Sequence, residues 1–242
     1  MKMIEWTASS FSEAGRKKEN QDSLLVKKIS ENTIVLAIAD GMGGKPGGEI
    51  ASQVATETVA IALEENPNID MPAIFKKVKK AMINRSAQSI SIKDMGSTLT
   101  VAVISGNEVA VGHVGDCRLY HLRGNGINTK TKDQTEVQKL LDDGILTRQR
   151  ALSYHRKNIL LSVLNANKDY ELQEVFFSLQ HDDRIMMLTD GAYSLVKKSE
   201  LRDISVSSSN LDEMTRKIKV LIESKEIKDD YTLIAFQASF QE

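Results

Sequence analysis

The sequence predicts an α+β fold in which antiparallel β-sheets are covered by helices, built as one domain over residues 1–242. Three observations predict it. Candidate helices are grouped rather than alternating one-for-one with strands, which disfavours a doubly wound parallel sheet. Two strand-like runs, 98–104 and 108–114, flank Ser105-Gly106-Asn107, a tight turn that joins antiparallel neighbours. No solenoid repeat, low-complexity tract or Pro/Gly-rich linker divides the chain.

Taken in order, residues 1–8 alternate weakly and read as a first strand, and 23–29 as a second. Residues 33–39 are a short apolar, β-branched run suited to a buried strand, ending in Asp40-Gly41. A glycine-rich turn occupies 41–48. Residues 49–65 read as an alanine-rich helix with Ile50, Val54, Ile61 and Ala62 near one stripe, ended by Asn66-Pro67. Asp70 is placed to cap a second helix with Pro72 in its first turn. Ile74, Val78, Ala81 and Met82 form the apolar face of that helix, and Lys76, Lys77, Lys79 and Lys80 its solvated remainder.

After the hairpin, 117–122 reads as another strand, closed by Arg123-Gly124-Asn125-Gly126. A short helix over 136–143 stops at Gly144. Residues 145–165 have no clean period and read as a long excursion of the kind that often covers a site. Strands follow at 171–179 and 184–189, the second ending in Asp190-Gly191. An amphipathic helix over 211–224, starting near Asn210 or Asp212, and a strand over 231–240 complete the chain.

Composition narrows the function classes. Lys plus Arg number 32 and Asp plus Glu 33, a formal net charge of −1, so no basic excess favours nucleic acid or an anionic membrane. Glu5 and the polar stretch after Ala8 interrupt any signal-peptide core, and no apolar run approaches the roughly 18–20 residues that span a bilayer. A soluble, cytoplasmic protein, monomeric by default, is the expectation. Cys117 is the single cysteine, so no internal disulfide forms.

The chemistry lies in the aspartates. Two apolar runs, 34–39 and 185–189, each deliver an Asp-Gly pair, Asp40-Gly41 and Asp190-Gly191. An isolated Asp-Gly is a common hairpin turn. Here Met42-Gly43-Gly44-Lys45-Pro46-Gly47-Gly48 follows the first pair, more glycine than a two-residue turn needs. Asp229-Asp230 precedes another apolar strand, Asp22 opens one, and Asp116 closes Val111-Gly112-His113-Val114-Gly115. Carboxylates gathered at the rim of a core repel one another and lose solvation, so they are either spread around the rim or neutralised by cations. Oxygen ligands of this kind suit Mg²⁺ or Mn²⁺. His113, His121, His155 and His181 show no ligand-like spacing, which disfavours zinc.

Six blocks in order carry a resemblance: Asn20-Gln21-Asp22, Asp40-Gly41-Met42-Gly43-Gly44, Gly96-Ser97-Thr98, Gly115-Asp116-Cys117-Arg118, Leu188-Thr189-Asp190-Gly191 and Asp229-Asp230-Tyr231-Thr232. From Trp6 to Phe240 the chain resembles the metal-dependent protein phosphatases, the type 2C (PPM-type) serine/threonine family, in its bacterial form. That resemblance implies a four-layer αββα sandwich, two antiparallel sheets flanked by helix pairs, with a flap at about 145–165. It implies two Mn²⁺ or Mg²⁺ ions at one end of the sandwich. Asp40 would bridge them and the Gly41 carbonyl would bind one, while Asp190 and Asp229 would hold the other. Asp22 would act through water in the outer coordination sphere, and Asp116 with Asp190 would match a weaker third site. Two ions about 3.5–4 Å apart can lower the pKa of a shared water toward neutrality, so that it attacks phosphorus without a covalent enzyme intermediate. Cys117 is then a packed residue, not a nucleophile.

Departures from the family pattern are few. Lys17, with Arg16 beside it, stands where an arginine usually grips the substrate phosphate; lysine supplies charge but not a two-pronged planar donor. The bland reading of Arg16-Lys17-Lys18 is a solvated basic run. Met42 replaces a histidine that many eukaryotic members carry, so leaving-group protonation must come from metal-bound water or another group. His155 is one candidate, against a packing or surface role. Gln134 replaces a histidine and reads as structural, and Asp230 replaces an asparagine. The implied function is hydrolysis of phosphoserine and phosphothreonine in proteins phosphorylated by a serine/threonine kinase. Two rivals stay open: a non-catalytic phosphopeptide-binding scaffold of the same fold, and a small-molecule phosphomonoesterase.

Overall fold

The computed structural model describes residues 4–16, 19–42 and 46–240. The elements run β1 (Ile4–Glu13), β2 (Asp22–Ser30), β3 (Thr33–Asp40), α1 (Gly48–Glu65), α2 (Met71–Ser86), β4 (Gly96–Ser97), β5 (Leu99–Ser105), β6 (Glu108–Val114), β7 (Arg118–Arg123) and β8 (Gly126–Thr129). They continue α3 (Glu136–Asp142), α4 (Arg148–Ala151), β9 (Leu164–Asn165), β10 (Gln173–Ser178), β11 (Arg184–Leu188), α5 (Asp190–Tyr193), α6 (Lys198–Val206), α7 (Leu211–Glu223) and β12 (Tyr231–Phe240).

Strand β3 shows why the layers stack. Its residues are apolar without interruption, and side chains alternate between faces of a strand. Ile34, Leu36 and Ile38 point into a core shared with Leu119, Ile185, Met187, Ile234 and Phe236 of the other sheet. Val35, Ala37 and Ala39 point the other way, onto α1 and α2. Strand β11 does the same from the opposite sheet: Met186 and Leu188 meet Leu201 of α6 and Met214, Ile218 and Ile222 of α7. Two antiparallel five-stranded sheets result, in the orders β1-β12-β11-β7-β8 and β10-β6-β5-β3-β2, each carrying a helix pair on its outer face. This is the αββα sandwich that the resemblance implies. Truncating a fully buried side chain such as Leu36 to alanine would cost about 2–5 kcal/mol.

Local signals explain most element ends. Asp70 accepts a hydrogen bond from the Ala73 N–H at 2.8 Å, with Pro72 in the first turn of α2. Asn210 caps α7 through Glu213 N–H. Two readings are corrected. Of the stripe read on α1, Ala62 is buried and Ile50 and Val54 pack partly buried against the core, but Ile61 is exposed, and Ala51, Ala55, Val59 and Leu63 complete the buried face. Ala51, Ala55 and Ala62 let the helix lie close on β3. Helix α6, nine residues with few apolar side chains, was not foreseen.

Candidate metal centre

Strands from both sheets end at one edge of the sandwich, and each brings an aspartate there. Asp40 is the last residue of β3 and Asp22 the first of β2, directly opposite it in the antiparallel register. Asp190 follows β11, Asp229 precedes β12, and Asp116 lies in the β6–β7 link. Asp40, Asp116, Asp190 and Asp229 line one cavity of about 710 Å³. Asp22 lies behind it, buried.

Neither Asp-Gly pair is a hairpin turn. Gly41 bridges to Ser97, and its N–H donates to the Gln21 carbonyl at 2.9 Å. A Cβ on Gly41 would stand 2.1 Å from the Gly48 carbonyl oxygen, and one on Gly191 2.0 Å from that of Asp230. Only glycine permits these backbone approaches.

The aspartates are held from behind. The Asp40 N–H donates to Thr98 Oγ1 (3.0 Å), and its carbonyl accepts from Ser97 Oγ and from the Thr98 N–H, each at 2.9 Å. Asp22 Oδ2 accepts the hydroxyls of Thr189 (2.8 Å) and Thr232 (2.7 Å), which stitches β2 to the other sheet. Thr232 is supported by Ser12 at 2.8 Å, and Ser12 by Asn20 Nδ2 at 2.8 Å. Asp230 accepts the Gly15 and Gln21 N–H groups, one on each oxygen at 2.8 Å, and so fastens both ends of the β1–β2 loop. Thr98, Thr189 and Thr232 stand in the sequence blocks that carry the resemblance, but nothing local marks their hydroxyls for these roles.

Electrostatics mark the edge as a place where buried carboxylates crowd together. Burial, then the charges of Asp22, Asp190 and Asp116, pushes the Asp40 carboxyl well above the usual carboxylate range. Burial, with Asp190 and Asp133 adding to it and Arg118 opposing, lifts Asp116 to about 8. Asp22 is raised to about 7 by burial, against the Thr232 and Thr189 hydrogen bonds. A bound divalent cation reverses this logic by favouring the ionised carboxylates.

The model of the family described as "Protein phosphatase 2C" matches residues 12–226. The chain belongs to the protein phosphatase 2C family. It is 29% identical over 202 residues to the serine/threonine phosphatase stp of Listeria welshimeri, covering 80% of each chain. It is 28% identical over 216 residues to the protein phosphatase PhpP of Streptococcus pneumoniae, covering 86% of this chain and 87% of that one. The catalytic domain of the serine/threonine protein phosphatase PstP, solved with two manganese ions, superposes with a TM-score of 0.83 at 25% identity, covering 98% of this chain and 99% of that one.

This phosphatase 2C chain offers oxygen donors of the right chemistry. The polar lining of the cavity is mostly aspartates and asparagines, with no histidine or cysteine among the described residues. Among the described residues no three acidic, histidine or cysteine side chains close into a compact cage. Carboxylates spread along a wall suit hard cations that keep several waters and take one or two carboxylates each. Burial pushes the Cys117 thiol well up, with the charges of Asp40 and Asp116 adding to it, which leaves no reactive thiolate.

Other sequence-predicted residues fall outside the cavity. Arg16 is exposed and paired with Glu226, and Lys17 lies outside the described residues, as do Gly43, Gly44 and Lys45 of the glycine-rich turn. His155 is exposed, its ring beside Tyr154 rather than facing the aspartates. Gln134 accepts from the Gly115 N–H and donates to the Glu171 carbonyl, each at 2.8 Å, a structural tie. The excursion 145–165 contributes residues 158–161 to the cavity wall and is fastened by Glu136, which binds Tyr154 and Arg156. Asp94, Lys168 and Asp169 also line the cavity and were not singled out; nothing periodic marks them in the sequence.

Proposed function

We propose that this chain is a serine/threonine protein phosphatase whose Asp40, Gly41 carbonyl, Asp190 and Asp229 hold two divalent cations, Mn²⁺ or Mg²⁺. One observation carries the reading: four aspartates far apart in sequence, Asp40, Asp116, Asp190 and Asp229, line a single cavity. Asp116 with Asp190 would take a third, weaker ion. Bound ions of this kind activate water for attack on phosphorus and neutralise developing charge on the phosphoryl oxygens.

The protein's own part is to hold its groups still. Ser97 and Thr98 fix Asp40 through backbone hydrogen bonds, which leaves its carboxylate for the cavity. Thr189 and Thr232 occupy one oxygen of Asp22. The other is left to accept a proton or to order water. Asp230 holds the loop carrying Arg16 and Lys17, the basic pair proposed to grip the substrate phosphate. Arg16 can serve only after leaving Glu226, an exposed pair of the weakly held kind.

The relatives named as serine/threonine phosphatases support a phosphoprotein substrate. A cognate serine/threonine kinase in the cytoplasm would supply it, and the chain would act as a monomer. A binding scaffold would have no need of carboxylates that destabilise the metal-free fold. The test is Mn²⁺-dependent hydrolysis of an aryl phosphate and then of phosphothreonine peptides. Hydrolysis of neither by folded, metal-loaded protein would favour the scaffold, and hydrolysis of the aryl ester and phosphometabolites alone the small-molecule enzyme.

A further inference from the structure

A second cleft, of about 460 Å³, lies beside the acidic cavity and has the opposite charge. Arg118, Lys132, Lys197 and Lys198 line it, against one carboxylate, Asp133. Two of the four cations are already matched. Arg118 makes a two-pronged pair with Asp133 (3.0 and 2.7 Å), and Lys132 pairs with Asp142 at 2.8 Å. Lys197 and Lys198 make no ion pair among the described residues. Lys198 donates to Thr129 Oγ1 at 2.8 Å and lies over the Tyr120 ring, so its position is defined by neutral partners. Glu200 accepts from the Lys197 backbone N–H at 2.7 Å and faces Lys225 at 3.7 Å. A concave surface thus carries two lysines with no salt bridge among the described residues, in a chain whose net charge is −1.

The cleft adjoins the candidate metal centre. Arg118 follows Asp116 by two residues and Tyr193 follows Asp190 by three, and the Arg118 guanidinium stacks on the Tyr193 ring, 3.7 Å from its centroid. Both residues of that stack line the cleft. A third depression, of about 350 Å³, shares Leu161 with the cavity and Lys132 and Asp133 with the cleft, so the three run side by side. An extended polypeptide advances about 3.3 Å per residue, so a chain with its phosphorylated residue at the cavity can reach the cleft within a few residues.

We propose that this cleft binds an anionic side chain of the substrate polypeptide, a carboxylate flanking the phosphorylated residue, and so gives the enzyme a preference for acidic sequences. The inference rests on the phosphatase reading above. Charges at the rim of a binding site act mainly on selectivity and association, and are weakened by salt. The preference therefore appears in KM and not in kcat.

The test compares phosphothreonine peptides identical except for glutamate or glutamine at single positions two to six residues away on either side. Wild type is measured beside the double variant Lys197→Gln/Lys198→Gln, which keeps the length of both side chains, with p-nitrophenyl phosphate as control. At the best position, wild type should favour the glutamate peptide roughly tenfold in kcat/KM, through KM, and lose most of this near 1 M salt. The double variant should treat both peptides alike and hydrolyse the aryl ester as wild type does. Equal use of both peptides by wild type at every position, or a preference that survives in the double variant, would overturn the proposal. A wild type inactive on the aryl ester would instead overturn the phosphatase reading beneath it.

Discussion

Asp22 and Asp40 face each other across the β2–β3 pair, first residue against last, each with its carboxyl pushed upward chiefly by burial. Like charges directly opposite on antiparallel strands destabilise a sheet. The Thr189 and Thr232 hydroxyls offset part of this at Asp22, while Asp40 lies open to the cavity. Metal-free protein should therefore be less stable than metal-loaded protein. At an ion concentration a hundredfold above Kd the gain is about 2.7 kcal/mol. Calorimetry with Mn²⁺ and with a chelator checks it: the unfolding midpoint should rise by several degrees with metal in wild type and barely move in Asp40→Asn.

Turnover should separate the aspartates from the thiol. Asp40→Asn or Asp190→Asn should lower turnover at least about a hundredfold, because each removes a group proposed to hold a cation that activates the nucleophile. Cys117→Ser should leave turnover largely intact, since the thiol is buried against Thr98. Steady-state hydrolysis of an aryl phosphate at saturating Mn²⁺ measures all three. The opposite ranking would exclude the binuclear reading.

Asp230 stands next to a proposed ligand yet turns its carboxylate to the β1–β2 loop. Each oxygen accepts one N–H, from Gly15 and from Gln21. Asparagine at this position would present an amide NH₂ to one of those donors, and the lost charge-assisted bond costs about 1.5–3 kcal/mol. Asp230→Asn should raise KM for phosphopeptides several-fold with a smaller change in kcat, and should shift proteolysis toward the 14–21 loop. Limited proteolysis followed by mass spectrometry reads the second effect.

What the sequence shows of this molecule is what local chemistry controls. Strand β3 announces itself as an unbroken apolar run, β12 through the apolar stretch 233–236, and α2 through Asp70 and Pro72. The five aspartates are visible because each adjoins an apolar strand, and a strand end is where a core meets solvent. The grips on them are not visible. Thr189 and Thr232 look like ordinary strand residues until the fold brings them to Asp22 across 167 and 210 positions of chain. Helix α6 was missed because its stability comes from packing Leu201 on the outer face of a sheet, not from its own pattern. The basic cleft likewise draws Arg118, Lys132 and Lys198 from separate segments, and none of these residues is marked in its own stretch.

At the far end of β11 from Asp190, Asp183 holds a polar cluster that titrates apart from the candidate centre. Burial raises its pKa, but the Arg123 guanidinium, the Gln180 N–H and His121 outweigh that and hold the carboxyl below the ordinary aspartate value of 3.8. The contacts are Arg123 Nη2 at 2.6 Å, His121 Nε2 at 2.8 Å and Gln180 N at 2.8 Å, with Arg184 and Asp182 as charged neighbours in sequence. A carboxylate whose folded pKa is depressed stabilises the fold fully above its unfolded value, and that contribution disappears as pH falls through the folded value. Asp183→Asn should therefore be less stable than wild type at pH 7, with the difference still complete at pH 5. The gap should narrow only below about pH 3.8, as wild-type Asp183 takes up its proton. Urea unfolding at pH 7, 5 and 3 checks this. A gap that is constant across the three would assign the effect of the substitution to lost packing rather than lost charge.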